Sequence, residues 1–331
     1  MSVPPDNSEG VRTALKAGDV LISITADIGI VGWVAPDIEQ PAYINQHIAL
    51  ARFGSDRVDT RYLAYFLAGT ASQRRFISMS DAGAKAGMNL AGVRAVLAAL
   101  PPTIDEQNKI AQALADADAL IDSLEQLLAK KRQIKQGAMQ ELLTGKRRLP
   151  GFDSQWKPCS LADVVGMKSG IAITAAVLKE NFSYPCYGGN GLRGFTSSFT
   201  HDGEYVLIGR QGALCGNVTL VRGKFFASEH AVVVTLRADV DAVWLHFVLI
   251  RMNLNQYSES SAQPGLSVEK LLKLELLVPE PAEQEAIGKI LAGMDAEIAA
   301  LEACLAKALD LKRAMAQSLL TGGIRLVESK A

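Results

Sequence analysis

The stretch that decides the fold runs from Glu106 to Leu149 and reads EQNKIAQALADADALIDSLEQLLAKKRQIKQGAMQELLTGKRRL. It returns from Glu283 to Leu326 as EQEAIGKILAGMDAEIAALEACLAKALDLKRAMAQSLLTGGIRL, 177 residues further on and without a gap. Roughly half of the aligned positions are identical, and self-similarity at a fixed offset is the signature of a duplicated architecture. The chain is therefore predicted to contain two repeats, each a mixed segment followed by one copy of this stretch.

Apolar residues in both copies recur at alternating steps of four and three, which is the spacing of a coiled-coil seam. The seam residues are Ile110, Leu114, Ala117, Ile121, Leu124 and Leu128 in the first copy, and Ile287, Leu291, Met294, Ile298, Leu301 and Leu305 in the second. Each copy is predicted to be a helix of about 40 residues, on the order of 60 Å long. Two helices of equal length with matching seams most economically pair with each other, so we predict an antiparallel coiled coil.

Signals at the helix ends agree with these limits. Thr103–Glu106 has the pattern of a capping box, and Pro281 is tolerated in the first turn of the second helix. Gly145 and Gly322 are natural stops just beyond the last helical turn. We accordingly divide the chain into a first domain, a first spacer helix, a second domain and a second spacer helix, covering residues 1–102, 103–150, 151–279 and 280–326.

Short β-branched and aliphatic runs between the helices predict a mixed α/β (α+β) fold. The predicted strands of the second domain are Tyr205–Gly209, Gly216–Val221, Phe225–Ala227, Ala231–Leu236 and Leu274–Val278. The first domain holds corresponding strands at Asp19–Thr25, Gly29–Val34 and His47–Phe53, followed by a helix over Thr60–Ala68. About fifty residues of the second domain precede its GEYVLI strand, whereas seventeen precede GDVLIS in the first. The first domain is therefore expected to lack roughly its opening third.

Composition limits the class of protein. Thirty-four Lys and Arg against 35 Asp and Glu give a net charge of −1, so any polyanion binding must come from local patches. The four cysteines lie far apart without a C-x-x-C pair, which indicates neither a zinc site nor a disulfide scaffold. No apolar stretch approaches the roughly 18 residues of a membrane helix, and no signal peptide is evident. We expect a cytoplasmic protein without membrane contact.

Three pieces of the sequence resemble the specificity subunit of type I restriction-modification systems. They are the duplicated helix with its Leu-Leu-Thr-Gly ending, the run PCYGGNGLRGF at Pro185–Phe195, and the run GEYVLIGRQG at Gly203–Gly212. The resemblance covers nearly the whole chain and implies two target-recognition domains separated by two long helices paired as an antiparallel coiled coil. Family members normally carry a complete first domain. A truncated gene, a wrong start codon and a half-degenerate copy all fit the shorter first domain seen here.

Signatures of catalysis were sought and not found. Gly189–Gly194 spells G-x-G-x-x-G, but it leads toward another strand and lacks the later acidic residue of a dinucleotide fold. No G-x-x-x-x-G-K-[ST] motif exists, and neither does the Asn/Asp-Pro-Pro-aromatic signature of amino-methyltransferases. His47 and His230 occupy matching places in the two domains and are expected to be structural. We assign the chain no catalytic residue and no metal site.

DNA reading requires polar side chains at base edges together with phosphate anchors. Candidates in the second domain are Tyr187, Asn190, Arg193, Arg210, Gln211 and Lys224, and weaker candidates in the first are Arg74, Arg75, Lys85 and Asn89. Each could instead be part of a solvated surface loop. The basic run Lys130–Arg132, with Lys135 and Lys146–Arg148, could be a solvated helix face, a phosphate contact or a contact with an acidic partner.

The resemblance implies a DNA sequence-specificity subunit without catalysis of its own. Such a subunit binds double-stranded DNA and docks modification (methyltransferase) subunits, and through them the restriction subunit. No cofactor is then expected on this chain, while S-adenosylmethionine, ATP and Mg are expected on the partner subunits. The alternative is a coiled-coil assembly protein, or a remnant of a recombination cassette, that has lost bipartite DNA reading.

Overall fold

The computed structural model describes residues 8–54, 57–79, 87–212, 214–237, 239–258 and 265–327. The chain divides into two compact units. The first unit contains residues 1–126 and 302–331, and the second contains residues 127–301. Within the described part of the chain, no helix combines the length and the apolar character needed to cross a membrane.

The first unit is built on a small antiparallel sheet with strand order β2-β1-β3. Its elements before the long helix are α1 (Ser8–Thr13), β1 (Val20–Ser23), β2 (Val31–Trp33), β3 (Ile48–Ala51), α2 (Thr60–Ala68), α3 (Thr70–Ser78) and α4 (Leu90–Arg94). Val20, Ile22, Leu63 and Phe76 form the centre of the core between sheet and helices. All three predicted strands are confirmed in shortened form, and α2 has the predicted bounds because the Asp59 side chain accepts a hydrogen bond from Tyr62 N and caps the helix.

The second unit is built on a larger sheet with strand order β5-β10-β8-β9-β6-β7, beside a two-stranded sheet of β11 and β4. After the long helix α5 (Ile104–Leu142), its elements are β4 (Lys157–Ser160), α6 (Leu161–Val164), β5 (Val165–Ser169), β6 (Tyr184–Gly188), β7 (Gly191–Thr196), β8 (His201–Gly209), β9 (Val218–Ala227), β10 (Ala231–Leu236), α7 (Ala242–Arg251), α8 (Val268–Leu272), β11 (Glu275–Val278) and α9 (Pro281–Leu320). The buried face of the sheet packs against α7 through a core that includes Ile208, Val234, Trp244 and Leu245.

One strand prediction was wrong in detail. The predicted strands Gly216–Val221 and Phe225–Ala227 are parts of one continuous strand, β9. Gly223 interrupts the apolar run with a positive φ of 83°, and it lies opposite Gly203, whose φ is also positive, at 136°. The paired glycines let both strands distort together, so the ladder continues through a sequence that suggests a turn.

The two long helices have the predicted lengths, with 39 residues in α5 and 40 in α9. Gly145 and Gly322 follow their ends with positive φ angles of 69° and 76°. The predicted capping box of α5 is only half formed. Glu106 N donates to Thr103 Oγ1, but the Glu106 carboxylate pairs with Arg325 instead of turning back to the helix start.

The predicted seam residues face inward. Those that are buried are Ile110, Leu114, Ile121, Leu128, Ile287, Leu291 and Ile298, while Ala117, Leu124, Met294, Leu301 and Leu305 are half-buried. In the first unit, Ile110 and Leu114 near the start of α5 share a cluster with Leu319 and Leu320 near the end of α9. In the second unit, the last turn of α5 shares a core with the first turns of α9. The pairing is therefore antiparallel within each unit, and a coiled coil along the full helices stays a prediction.

Part of the basic run serves these helix contacts. In the second unit Lys131 pairs with Glu297 at 2.7 Å, and Lys135 pairs with Asp295. The first unit repeats the latter pair as Lys312–Asp118, at a 177-residue offset for each partner. Lys131 and Lys135 thus contact acidic groups of the same chain rather than of a partner, while Lys130 and Arg132 are exposed on the helix face. Phosphate contact by this basic run stays a prediction.

Candidate nucleic-acid interface

Three loops meet at one end of the large sheet in the second unit: the β6–β7 turn, the segment that leaves β8, and the β9–β10 turn. Arg210 N donates to His230 O at 2.8 Å, and Ser228 N donates to Tyr187 O at 2.8 Å. Leu266 N donates to Arg210 O at 2.9 Å. Because these loops are tied together through the backbone, the positions from which their side chains project are fixed relative to one another.

Glycines allow the loops to approach one another closely. A Cβ atom at Gly209 would overlap the carbonyl oxygen of Gly189, and one at Gly189 would lie 2.8 Å from Gln211 O. A Cβ atom at Gly188 would overlap the Arg193 side chain, which folds back over this residue. The glycine-rich run that resembled a nucleotide-binding motif is therefore a β-hairpin packed against β8.

Substitution of Gly209 by alanine is expected to destabilise this end of the sheet by about 1–3 kcal/mol, because the new methyl group must displace backbone atoms rather than a flexible side chain. Gly166 in β5 is a matched control, since a Cβ atom there makes only ordinary contacts at 3.9 Å or more. Chemical denaturation of both variants measures the difference. Equal stability of Gly209→Ala and Gly166→Ala would contradict the close approach.

Four of the predicted DNA-contacting residues lie at this end of the sheet. Asn190, Arg193 and Gln211 are exposed. Arg210 is half-buried, and its Nη1 donates to Ser169 Oγ at 3.0 Å. The structure thus brings together two guanidinium groups and two carboxamides, which are the side chains best suited to read guanine and adenine in the major groove.

Two other predicted residues are placed differently. The Tyr187 ring packs edge-on against Phe225 with ring centroids 6.0 Å apart, so it belongs to the small core on this face of the sheet. Lys224 lies opposite Asp202 in the β8–β9 ladder, and its Nζ is 4.9 Å from the centre of the Phe199 ring. It stands within β9, three residues before the end of that strand, rather than in one of the three loops described above.

Sequence reasoning gave no binding role to Ser169 or Glu229. Glu229 Oε2 accepts a hydrogen bond from Ile173 N at 3.1 Å, and its Oε1 lies 3.2 Å from His230 Nε2. Burial alone would raise the pKa of Glu229, but backbone hydrogen bonds and the nearby His230 and Arg193 bring it below its ordinary value. Glu229 is thus an anionic acceptor at this interface, of the kind that can accept from a cytosine amino group. The available signal was the matching places of His47 and His230 in the two domains, since Glu229 directly precedes His230.

The candidates of the first unit are less concentrated. Arg74 and Arg75 are exposed on α3. The Asn89 side-chain oxygen accepts from Gly92 N at 2.8 Å and caps α4, which gives this residue a structural role. Lys85 lies outside the described residues.

The first unit has the same connections at the end of its central strand, but different side chains. In the first unit, Met88 N donates to Ile24 O at 2.8 Å, which corresponds to the bond from Leu266 N to Arg210 O. Ile24 N donates to His47 O at 2.9 Å, which corresponds to the bond from Arg210 N to His230 O. Ile24 and Thr25 therefore stand where the second unit has Arg210 and Gln211. Thr25 Oγ1 lies 2.7 Å from His47 Nδ1, so this histidine is held within its own unit.

Comparison with known sequences identifies relatives of one kind. The chain is 47% identical over 140 residues to the type I restriction enzyme EcoprrI specificity subunit of Escherichia coli, a match that covers 41% of this chain and 35% of that protein. It is 26% identical over 160 residues to a putative type I restriction enzyme specificity subunit of Haemophilus influenzae, covering 46% of this chain and 40% of that one. These matches span well under half of either relative.

Solved structures share the fold. The S subunit of a type I restriction-modification system from M. genitalium superposes with a TM-score of 0.70 at 16% identity, covering 96% of this chain and 87% of that one. A chain from a structure of type I R-M complex assembly and conformational transition gives a TM-score of 0.53 at 16% identity, covering 94% and 83%. The family model for the type I restriction modification DNA specificity domain matches residues 12–136 and 153–309. This chain belongs to the family of type I restriction-modification DNA specificity domains.

Proposed function

We propose that this chain is a DNA sequence-specificity subunit of a type I restriction-modification complex and that its second unit reads bases. The observation that carries the proposal is the convergence of Asn190, Arg193, Arg210 and Gln211 at one end of the sheet. Backbone hydrogen bonds tie together the loops that carry them, and Ser169 holds the Arg210 side chain, so this framework is formed before DNA arrives. Preorganised bidentate donors are what discrimination between base pairs requires.

The first unit is proposed to contribute phosphate contacts. The exposed Arg74 and Arg75 supply positive charge, whereas Ile24 and Thr25 replace the arginine and glutamine of the second unit. Phosphate contacts position a protein on the duplex and carry no direct sequence information. Recognition is therefore expected to be strong for one half-site and weak for the other.

The remaining parts of the proposal concern partners and chemistry. The long helices α5 and α9 present exposed apolar side chains, among them Leu120, Leu127, Ile134, Leu309 and Leu311. Exposed apolar residues on long helices fit a role in docking modification subunits, and the restriction subunit would join through them. The chain is proposed to have no catalysis and no cofactor of its own, with S-adenosylmethionine, ATP and Mg on the partner subunits.

Selection of binding sites from random duplex DNA tests this proposal, with the purified chain alone and with modification subunits added. We expect a selected motif in both samples and methyl transfer only in the second. Methyl incorporation by the chain alone would contradict the non-catalytic assignment. Failure to select any motif with partners present would favour the alternative, a coiled-coil assembly protein that no longer reads DNA.

A further inference from the structure

The first unit has an apolar groove beside the free edge of its sheet. The groove has a volume of about 150 Å³ and is lined by ten apolar residues, among them Ile22, Ala51, Leu63, Leu67, Val93 and Leu100. It is called the open-edge groove below. Among the described residues, β3 pairs only with β1, so one side of β3 has no strand partner. Phe53, which lines the groove, is 42% exposed, and Leu97, which follows the lining residue Val96 in the chain, is 72% exposed.

The second unit shows what covers the equivalent surface. Ala51 corresponds to Val234, because Ala51 pairs with Val20 in β1 and Val234 pairs with Val206 in β8. Leu63 corresponds to Leu245, because each lies four residues after the aspartate that caps its helix. All ten groove residues have aligned counterparts in the second unit, of which six belong to its buried main core and four are partly buried and pack against that core. The same ten positions are thus core positions in one unit and an open groove in the other.

The segment Lys157–Ser169 fills that place in the second unit. Its β5 pairs with β10, its β4 pairs with β11, and Leu161 N donates to Leu274 O at 2.8 Å. Leu161, Val164 and Val165 are buried in the main core. The first-unit counterpart of β11 is residues 97–100, which form no strand. In the described part of the first unit, the edge of β3 is therefore present and unjoined, and residues 97–100 have no strand partner.

The described start of the chain does not occupy this edge. Leu15 N donates to Ala42 O at 2.9 Å, and Ile44 N donates to Thr13 O at 3.0 Å. An isolated bridge joins Ala14 to Tyr43 between these two bonds. The residues that lead into β1 are therefore aligned with residues 42–44, while the free side of β3 stays open.

We propose that the open-edge groove binds a strand–turn–strand peptide segment that repeats the pattern of Lys157–Ser169. The incoming strand pairs with β3, and its apolar residues at the positions of Leu161, Val164 and Val165 fill the groove. Strand addition to a free sheet edge supplies affinity through main-chain hydrogen bonds and specificity through pockets for alternate side chains. The surface is separate from the residues proposed to read DNA, so the two proposals can fail independently.

A labelled synthetic peptide of residues 155–170, with Cys159 replaced by alanine, tests the proposal on the full chain by fluorescence anisotropy. We expect saturable binding, with new hydrogen-exchange protection in residues 48–53. Val93→Asp places a charge in the groove and should weaken binding by about tenfold or more. Ile77→Asp is the matched control, because Ile77 is 65% exposed on α3 of the same unit and does not line the groove.

A peptide with Lys168→Pro lacks a ladder N–H donor, because Lys168 lies opposite Val233, two positions along the ladder from the hydrogen bond that Gly170 N donates to Ala231 O. This peptide should bind much more weakly than the parent peptide. Binding that this change leaves intact would overturn the strand-pairing geometry. Absence of saturable binding, or equal weakening by Val93→Asp and Ile77→Asp, would overturn the proposal. A dimeric chain that Val93→Asp converts to a monomer would also overturn it, since a second copy would then be the occupant. Hydrogen-exchange protection of residues 48–53 supplies a readout on the unmodified chain if Val93→Asp does not fold.

Discussion

Replacement of Arg148 by alanine is expected to destabilise the second unit strongly, because it leaves a buried carboxylate without its ionic partner. Glu283 is fully buried, and it accepts hydrogen bonds from Arg148 Nε at 2.7 Å, Arg148 Nη2 at 2.8 Å and Trp156 Nε1 at 2.9 Å. Loss of the guanidinium leaves the Glu283 carboxylate without its ionic partner. Breaking a buried pair in this way typically costs about 3–5 kcal/mol. The melting temperature should fall by on the order of 10 °C.

Arg147 provides the control for this experiment. It is the adjacent arginine, but its side chain is 76% exposed and lies 3.6 Å from the exposed Glu141. An exposed pair of this kind contributes little, so Arg147→Ala should leave the melting temperature nearly unchanged. Thermal unfolding followed by circular dichroism compares the two variants. Similar melting temperatures for Arg147→Ala and Arg148→Ala would show that the Glu283 pair does not stabilise the unit.

The same arrangement occurs in the first unit, which explains why the duplication reaches beyond the helices themselves. Glu106 is buried, and Arg325 donates to it at 2.6 and 2.7 Å. These hydrogen bonds lower the pKa of Glu106. In each unit, the arginine that follows the end of one helix pairs with the glutamate at the start of the other. The repeat therefore preserves the two partners of a buried ion pair as well as an apolar seam.

Much of the fold could be predicted from the sequence because its signals are local. The helix limits follow from Pro281, Gly145 and Gly322, and the seam follows from periodicity within a single helix. The Glu283–Arg148 pair joins residues 135 positions apart, and no local pattern encodes it. Two predicted strands form the single strand β9 because Gly203 of β8 lies opposite Gly223. This pairing exists only once β8 and β9 have come together, so the sequence of β9 alone does not predict it.

The candidate interface was predicted only in part, because some of its residues have local sequence signals and others join it through contacts between distant parts of the chain. Arg193 and Arg210 stand out because they lie in glycine-rich runs, and the structure brings both to one end of the sheet. Ser169 ends β5 and Glu229 lies in the β9–β10 turn, and they join this group only through the sheet order, which the sequence did not provide. Lys224 was selected for its charge alone, and the structure places it within β9 rather than in one of these loops.

Arg193 is expected to be the residue whose loss changes DNA recognition most. Its side chain is exposed, the stem of that side chain lies over Gly188, and its positive charge contributes to lowering the pKa of Glu229, so its charged group stands among the residues of the candidate interface. If it contacts guanine in bidentate fashion, Arg193→Ala should cost about 1–3 kcal/mol on the preferred sequence and relax the preference at one position. That cost corresponds to roughly fivefold to 150-fold weaker binding.

Two further variants separate base reading from charge. Arg193→Lys keeps the positive charge but cannot form the planar bidentate contact, so selectivity should fall while the salt dependence is retained. Lys224→Ala should weaken all sequences alike and reduce the salt slope by about one, as removal of a phosphate contact does. Binding of the preferred and randomised duplexes at several salt concentrations measures both quantities. If Arg193→Ala and Lys224→Ala gave the same uniform loss, Arg193 would be a phosphate anchor, and base reading would have to come from Arg210 and Gln211.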